Sequence, residues 1–369
     1  MSWGEYFANF IKSKSDKPLD WKWFSFNSTI TWEVIQQNSD KPWCWDSLCQ
    51  NQNPNITWEI IQRNPDKPWK WSFLSGHPNI TWENIQQNPD KPWSWYWLSE
   101  NQNLRWEIIQ QNPNEEWDWW KSLSRHPNIT WEIIQQNRDK QWNWSSLSKN
   151  PNITCEIVQQ NPNEEWDWEF GLSENPNVTW EFVQQNLDKP WDWYLLSENP
   201  ITTTWEIIEQ NPDKPWNWYS LSRNPNVTWE IFQQNPDKPW NWDSLSQNPN
   251  ITWRNVKQTL DKPWNWYELS RHPNIIWQDV QQNPDKPWDW SGLTRNPNIS
   301  FEIINHNPDK PWDWKAFSMK KFTAEKELYE SKQRCTKRTN MIHEELVMKT
   351  LCPRRLERHL ANGWDLDDF

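Results

Sequence analysis

Residues Asn53–Ser75 read NPNITWEIIQRNPDKPWKWSFLS, and close copies of this segment fill most of the 369-residue chain. A W-x-W pair marks each copy, and successive pairs lie 24 to 26 residues apart. If Leu19 is counted in the place of one Trp, the chain contains thirteen such pairs. A short period repeated this often is typical of repeat proteins, in which each unit packs mainly on its neighbours.

The first half of each copy has the signals of a short helix. Thr57 is placed to cap the helix, and Glu59 follows in the first turn, where the helix dipole favours an acidic side chain. Ile56 and Ile61 have the spacing of a hydrophobic staple across the helix start. Pro65 ends the pattern, because proline disfavours helical geometry in the residue before it.

The second half, PDKPWKWSFLS, predicts another helix. We expect Asp66 to cap it and Pro68 to lie in its first turn, where proline costs no hydrogen bond. Trp69 and Trp71 are two positions apart and therefore point to different sides. We expect one indole to pack inside its own repeat and the other against a neighbouring repeat.

The sequence therefore predicts an all-α solenoid of about thirteen 24-residue helix-turn-helix repeats. The alternative is a β/α horseshoe like that of leucine-rich repeats, since ITWEII is rich in residues that favour strands. Helix layers stack about 8–10 Å apart, so an open array of thirteen units would span on the order of 100 Å. We expect the Trp58 position to be mostly buried in this array.

Three regions follow from the repeat pattern. Residues 1–18 form a degenerate N-terminal capping unit, and residues 19–318 form the tandem array. Residues 319–369 contain one Pro and one Trp, and they carry 11 basic against 9 acidic residues. They predict a C-terminal helical module that either caps the array or docks on another protein, with a helix before Pro353 and a shorter one after it.

Nothing in the sequence indicates catalysis, a cofactor or a metal. Five glycines are too few for a phosphate-binding loop, and no zinc or nucleophile motif is present. His77, His126 and His272 replace the Asn before Pro in the repeat turn, and Cys155 replaces the Trp58 equivalent. The five scattered cysteines predict reduced thiols.

Composition also limits the partners and the location. The net charge of −12 argues against nucleic-acid binding. No apolar run approaches the ~20 residues of a membrane helix. The N-terminus lacks the features of a secretion signal, so we expect a protein that is neither secreted nor bound to a membrane.

Candidate binding residues lie where the copies differ. Solenoids commonly bind partners through variable positions on a constant frame. The variable positions follow the W-x-W pair and the Leu-Ser pair, and the tail adds basic and aromatic residues. The candidates are Tyr96, Trp97, Tyr194, Tyr219, Tyr267, Arg125, Arg223, Arg271, Arg295, Arg354, Arg355, Arg358, Trp364 and Phe369.

The repeat NPNITWEIIQQNPDKPWDWxxLS resembles the Trp-rich tandem repeat of uncharacterised proteins encoded by giant DNA viruses of amoebae. The resemblance covers residues 19–318 and implies a viral context, with no known activity. The layout of an array followed by a C-terminal module is similar to that of poxviral ankyrin proteins, although the T-P-L-H signature is absent.

These observations favour a non-enzymatic scaffold that binds an unknown host or viral protein in the infected cell. One alternative is a structural component of the virion or virus factory. Another is a small-ligand or glycan binder that uses exposed Trp. The expected location is the host cytoplasm or the virion.

Overall fold

A computed structural model describes residues 2–50, 53 and 55–350 of the chain. Every regular element within these residues is helical, which confirms the all-α solenoid. The β/α horseshoe is wrong, because the described part of the array contains no strand. No helix in these residues is long and apolar enough to cross a membrane.

The array consists of thirteen units, numbered here in chain order, and each unit has a first and a second helix. The first helices are Trp3–Ser13, Trp32–Gln37, Trp58–Arg63, Trp82–Gln86, Trp106–Gln111, Trp131–Gln136, Cys155–Gln160, Trp180–Gln185, Trp205–Gln210, Trp229–Gln234, Trp253–Gln258, Trp277–Gln282 and Phe301–His306. The second helices are Trp21–Ser25, Trp45–Gln50, Trp71–Leu74, Trp95–Leu98, Trp119–Leu123, Trp144–Ser148, Leu172–Glu174, Trp193–Glu198, Trp218–Arg223, Trp242–Leu245, Trp266–Arg271, Trp290–Arg295 and Trp314–Met319. A terminal helix, Thr323–Thr350, follows unit 13.

The first helices begin and end as the sequence predicts. Thr57 accepts the backbone N–H of Ile60, and Glu59 lies in the first turn. At the other end the Asn64 amide donates to the carbonyl of Ile60 at 2.7 Å, and the Asn64 carbonyl accepts the indole N–H of Trp69 at 2.8 Å. The first Trp of the pair is therefore hydrogen-bonded inside its own unit, but its ring also packs edge to face on Trp45 of the preceding unit at 5.1 Å. The Trp58 position is buried in some units and half-buried in others.

The second helices start later than predicted. Asp66 is not a cap and Pro68 is not in the first turn, because the helix begins only at Trp71. The preceding residues form a tight turn, in which the N–H of Trp69 donates to the carbonyl of Lys67 at 2.7 Å. This turn is required because the Trp69 indole has to reach back to Asn64.

Two units absorb an extra residue inside the second helix. In unit 5 the residues after the second Trp form one π-helical turn, with the N–H of Leu123 donating to the carbonyl of Asp118 at 2.9 Å. In unit 7 the N–H of Leu172 reaches the carbonyl of Asp167 in the same way. The wider turn keeps Leu and the following Ser in register with the neighbouring units.

A serine hydroxyl joins each second helix to the next unit. Ser222 donates to the carbonyl of Trp218 in its own helix at 2.6 Å and accepts the backbone N–H of Asn241 in the next unit at 2.9 Å. Cys49 in unit 2 and Thr294 in unit 12 take the place of this serine, and they accept the N–H groups of Lys70 and Asp313 in the next unit. The bond is present at every junction between adjacent units.

The array is closed, because unit 13 meets unit 1 through the same bonds. The N–H of Asp20 donates to the hydroxyl of Ser318 at 2.8 Å, which is the serine bond of every other junction. The Asn27 amide donates to the carbonyl of Lys320 at 2.7 Å, as Asn248 does to the carbonyl of Asn224 at 3.1 Å. The predicted open array of about 100 Å is therefore wrong. The protein is a ring of thirteen units.

Phenylalanine fills the junction of units 13 and 1, which we call the seam. Phe301 stacks on Phe10 with 4.1 Å between ring centroids and on Phe7 with 5.1 Å. Phe322, just before the terminal helix, contacts Phe7 at 4.6 Å and is buried. The N-terminal segment thus packs on the last unit instead of covering a free end.

At nine of the thirteen junctions, the seam included, adjacent second helices lie in close contact, whereas adjacent first helices do so at the junction of Trp3–Ser13 with Trp32–Gln37 alone among the described residues. The inside of a closed ring has the shorter circumference, so the second helices form the inner wall and the first helices the outer wall. Thirteen helices at about 8–10 Å spacing give a circle about 33–41 Å across at the helix axes. With a helix radius of about 5–6 Å, an opening of about 20–30 Å remains.

The terminal helix begins on the outer side of the seam. Tyr329 stacks on Tyr6 at 4.7 Å, and Lys332 lies 3.6 Å from Glu302. The side chains of residues 331–339 are exposed, as are Met341 and Ile342. The predicted second helix of the tail, beyond Pro353, lies outside the described residues.

Candidate functional site: the inner wall

Exposed aromatic side chains are concentrated on the inner wall. Most of the indoles are buried or half-buried, because they form the core between units. Seven aromatic side chains in the described residues are more than a third exposed, and all belong to second helices or to the residues beside them. They are Trp23, Phe26, Tyr96, Trp120, Phe170, Tyr194 and Tyr219.

A cluster of tyrosine and arginine joins units 8 and 9. The rings of Tyr194 and Tyr219 stack at 6.2 Å, and the guanidinium of Arg223 lies over both, at 5.6 and 5.4 Å. Arg223 donates to the hydroxyl of Tyr194 at 2.8 Å and to the carboxylate of Glu198. Burial by itself would lower the pKa of Arg223, but the neighbouring carboxylate of Glu198 raises this pKa by more. The net pKa is therefore raised, and the guanidinium stays charged.

A second cluster lies on units 11 to 13. Arg295 donates to the hydroxyl of Tyr267 at 2.7 Å and lies 3.4 Å from the sulfur of Met319. Arg271 lies over the Tyr267 ring at 5.9 Å and pairs with Glu268 at 3.4 Å. The structure therefore brings together six of the predicted binding residues in two clusters on one wall.

The remaining predicted wall residues stand apart from these clusters. Tyr96 is exposed and meets Trp97 edge to face at 5.6 Å, while Trp97 packs on Phe73 at 5.2 Å. Arg125 donates to the hydroxyl of Ser146 in the next unit at 3.3 Å. The predicted tail residues Arg354, Arg355, Arg358, Trp364 and Phe369 lie outside the described residues.

Sequence reasoning missed four exposed aromatic residues of the wall. Trp23, Phe26, Trp120 and Phe170 occupy the variable positions, but they were not distinguished from the many structural aromatic residues. Trp120 lies in the unit with the inserted residue, next to the structural Trp119. The signal was available, because a third Trp directly after a W-x-W pair has no place in the core.

The two walls differ in charge. The short first helices of units 2–13 carry twelve carboxylates and three Lys or Arg, and the carboxylates lie on the exposed outer face. The second helices with the residue after each Leu-Ser pair carry six carboxylates and eight Lys or Arg. An acidic outer wall therefore surrounds an inner wall of balanced charge.

The three histidines of the repeat turns, His77, His126 and His272, are structural. The Nε2 of His126 lies 3.1 Å from the carbonyl of Asn101, and its Nδ1 accepts the N–H of Asn128 at 3.2 Å. These are the bonds that the Asn amide makes in other units. Burial lowers the pKa of His126 and keeps the ring neutral, which suits this role.

One cavity of about 570 Å³ lies on the outer side between units 4 and 5. Trp82, Arg105 and Glu107 are among its lining residues. Arg105 replaces the usual capping Thr, and no side chain caps the first helix there. No buried polar side-chain atom that lines the cavity lacks a hydrogen-bond partner, so it offers little to fix a ligand.

No protein-family model matches this chain, and neither curated proteins nor solved structures include a significant match to it.

Proposed function

We propose that this protein is a non-enzymatic scaffold that binds a protein partner on the inner wall of its ring, and that it is a viral protein acting in an infected cell. The observation that carries the proposal is the confinement of the exposed aromatic side chains to this wall. Trp, Tyr and Arg are the residues that dominate protein–protein binding energy, because they bury large area with little loss of side-chain freedom.

Pre-organisation of the wall supports the same proposal. Arg223 is held by Glu198 and two tyrosine rings, so its guanidinium has already lost most of its freedom before a partner arrives. Fixed side chains reduce the entropy cost of association. An opening of about 20–30 Å admits one or two helices or an extended segment.

The alternatives fit this geometry less well. A self-assembling rod needs free end units, and the seam of this ring uses both ends. Nucleic acid is disfavoured by a wall of balanced charge inside an acidic ring. A glycan or small-ligand binder would need its exposed Trp residues grouped, whereas Trp23 and Trp120 lie on units 1 and 5.

Proximity cross-linking in infected cells tests the proposal. A photoreactive residue at Tyr219, on the inner wall, should capture a defined protein that the same residue at Gln233, on the outer wall, does not. The Arg223→Ala and Tyr194→Ser changes should weaken this capture at least about tenfold, as expected for central interface residues.

Equal capture from both walls would contradict a binding site on the inner wall. Recovery of the protein within purified particles, with no cross-linked partner, would favour the structural alternative. In that case the wall variants should assemble into particles as the unchanged protein does.

A further inference from the structure

The residues that follow the Leu-Ser pairs (Leu-Thr in unit 12) form a row along the inner wall, and neighbours in this row contact one another. Lys149 of unit 6 pairs with Glu174 of unit 7, and Arg223 of unit 9 pairs with Glu198 of unit 8. At these two junctions the row neutralises its own charges, because a basic residue in one unit meets a carboxylate in the adjacent unit.

Units 11 and 12 repeat the arrangement of units 8 and 9. In both places an Arg donates to the hydroxyl of a Tyr in the preceding unit, Arg295 to Tyr267 at 2.7 Å and Arg223 to Tyr194 at 2.8 Å. Each Tyr directly follows the second Trp of its unit. The two junctions therefore present the same tyrosine and the same guanidinium to the opening.

One residue differs between the two junctions, since Arg271 stands where unit 8 has Glu198. The guanidinium of Arg271 lies over the Tyr267 ring at 5.9 Å, so two guanidiniums flank one tyrosine. The second acceptor of Arg295 is the sulfur of Met319 at 3.4 Å, and a thioether accepts hydrogen bonds only weakly. Two positive charges thus meet at a place where the equivalent junction has a carboxylate.

The rest of the row does not neutralise this pair. Its neighbours on either side, Gln247 and Met319, are uncharged. Glu268 pairs with Arg271 at 3.4 Å, and its side chain is only 16% exposed. Arg295 forms no ion pair with any residue that the structure describes. The junction of units 11 and 12 therefore keeps one guanidinium without a carboxylate partner.

The other carboxylates of these units have partners at a distance from the row. Asp289 and Asp313 begin the second helices and accept backbone N–H groups there at 2.7–3.0 Å. Each cap is six residues before the row, or about 9 Å along the helix. The charge of Arg295 acts on Asp313, but the two side chains form no ion pair. Asp243 of unit 10 accepts the amide of Asn265 at 3.2 Å.

We propose that the junction of units 11 and 12 binds an acidic side chain of the protein partner, with its carboxylate between Arg271 and Arg295 in the place that Glu198 holds beside Arg223. The proposal rests on the proposed function, which puts a partner on the inner wall, and it adds that the partner carries an Asp or Glu there. A guanidinium matches a carboxylate with two parallel hydrogen bonds. A carboxylate between two guanidiniums also removes their mutual repulsion.

The row favours a short acidic segment over a long polyanion such as nucleic acid. Elsewhere it contains Glu100, Glu174 and Glu198, which repel a chain of phosphates that follows the wall. An acidic side chain in a protein segment meets the two arginines alone. The position of this junction in the row would then fix how the partner is oriented in the ring.

Fluorescence anisotropy with purified full-length protein tests the proposal, with fluorescein-labelled hexaglutamate as the probe and hexaglutamine as its uncharged control. Arg295→Gln should weaken hexaglutamate binding at least about tenfold, because charge-assisted hydrogen bonds are lost. Arg271→Glu should weaken it as much, since the chain then supplies its own carboxylate. Arg254→Gln, on the outer wall of unit 11, is the matched control and should bind as the parent does.

The reciprocal change moves the site to another junction. Glu198→Arg removes the carboxylate from units 8 and 9 and places two guanidiniums beside Tyr194. This variant should bind a second hexaglutamate per ring. Circular dichroism confirms that each variant is folded.

Four results would overturn the proposal. They are equal binding of hexaglutamate and hexaglutamine by the parent, retained binding in Arg295→Gln and Arg271→Glu, an equal loss in Arg254→Gln, and tighter binding of an oligothymidylate of the same charge.

The cross-linking experiment separates this proposal from the proposed function. If the photoreactive residue at Tyr219 captures a defined protein and Arg271→Glu changes neither that capture nor hexaglutamate binding, the acidic-segment proposal alone is wrong. If hexaglutamate binding depends on Arg295 while both walls capture protein equally, the carboxylate site stands and the proposed function is wrong.

Discussion

At the scale of single residues, a few polar side chains fix how one unit joins the next. The hydroxyl of Ser222 donates to its own helix and accepts the N–H of Asn241, so one small side chain satisfies two backbone groups. The residue is buried and lies between two units. A buried N–H without an acceptor costs about 1–3 kcal/mol, so this position tolerates few residue types.

We expect Ser222→Ala to lower the free energy of unfolding by about 1–3 kcal/mol, because the N–H of Asn241 loses its acceptor. Ser222→Thr is the matched control, since Thr294 makes the same bond in unit 12. Urea unfolding followed by circular dichroism measures both. Equal stability of the Ala variant and the parent would show that water replaces the hydroxyl.

Two charged residues, Lys320 and Glu325, lie close to the seam; Lys320 is buried and Glu325 is partly buried. The ammonium of Lys320 donates to the carbonyls of Asn296 and Ile299, where other units use an Asn amide. One oxygen of Glu325 accepts the N–H of Phe301 at 2.7 Å, and the other is buried without a partner. Burial lowers the pKa of Lys320 to about 8 and raises that of Glu325 to about 7.

The raised pKa of Glu325 predicts a pH dependence of stability. The folded state binds this proton more tightly than the unfolded state, so its stabilising effect is complete below pH ~4.5 and is lost as the pH rises to about 7. Glu325→Gln should remove this loss, which is at most about 3 kcal/mol at about 1.4 kcal/mol per pKa unit. Melting temperatures of both proteins between pH 5 and 7 measure the difference.

The contribution of Lys320 has a different window. Its lowered pKa means that stability falls as the pH decreases from about 10.5 to about 8, and it is constant below that range. Between pH 5 and 7 the effect of Glu325 therefore stands alone within this pair. Parallel curves for Glu325→Gln and the parent protein would contradict the prediction.

At the scale of elements, register matters more than helix type. The second helix is α-helical in most units, yet unit 5 has a π-helical turn and unit 7 a short 3₁₀ turn. All three forms bring Leu and Ser to the same place between neighbours. The helix adapts because its packing on both sides is fixed by the rest of the ring.

We expect deletion of Trp120 to be tolerated, because it restores the regular spacing between Trp119 and Leu123. Deletion of Tyr219 from the regular unit 9 should cost several kcal/mol, since Leu221 and Ser222 then leave their buried positions. Thermal unfolding of the two deletion variants provides the comparison. Similar losses in both would mean that the π-turn in unit 5 is itself required.

At the scale of the whole molecule, closure determines the shape and the surfaces. An open solenoid has two end units whose apolar faces need covering. In this ring the two end units, 1 and 13, cover each other at the seam. Closure also gives the protein an inside and an outside. The acidic first helices lie outside, and the exposed aromatic residues lie inside.

Phe301→Ala should open the ring while the units stay folded. Phe301 stacks on Phe10 across the seam and is buried, so its loss costs about 3–5 kcal/mol at that one junction. The other junctions depend only on their neighbours. Small-angle scattering should show a longer maximum dimension, and circular dichroism should retain the helical signal.

Phe232→Ala is the control for ring opening. Phe232 packs on Trp240 and Trp242 of its own unit, so its removal weakens a unit and not the seam. It should lower stability without changing the dimensions. A parent protein that already has the dimensions of an extended array would contradict closure.

The sequence by itself determined the units. Periodic W-x-W pairs, Thr caps and proline stops are local signals, and local signals specify short helices and their order. The different directions of Trp69 and Trp71 also followed, since side chains two positions apart point to different sides, but both indoles pack across a junction, Trp69 on Trp45 and Trp71 on Trp93. The start of the second helix did not follow, because the bond from the Trp69 indole to Asn64 outweighs the capping preference of Asp66.

Only the tertiary structure decided that the array closes. Curvature results from a small rotation at each junction, added over thirteen units, and no single repeat encodes it visibly. The accumulated rotation also decides which variable positions face the opening. The exposed aromatic residues therefore form one shared wall only because the array closes into a ring.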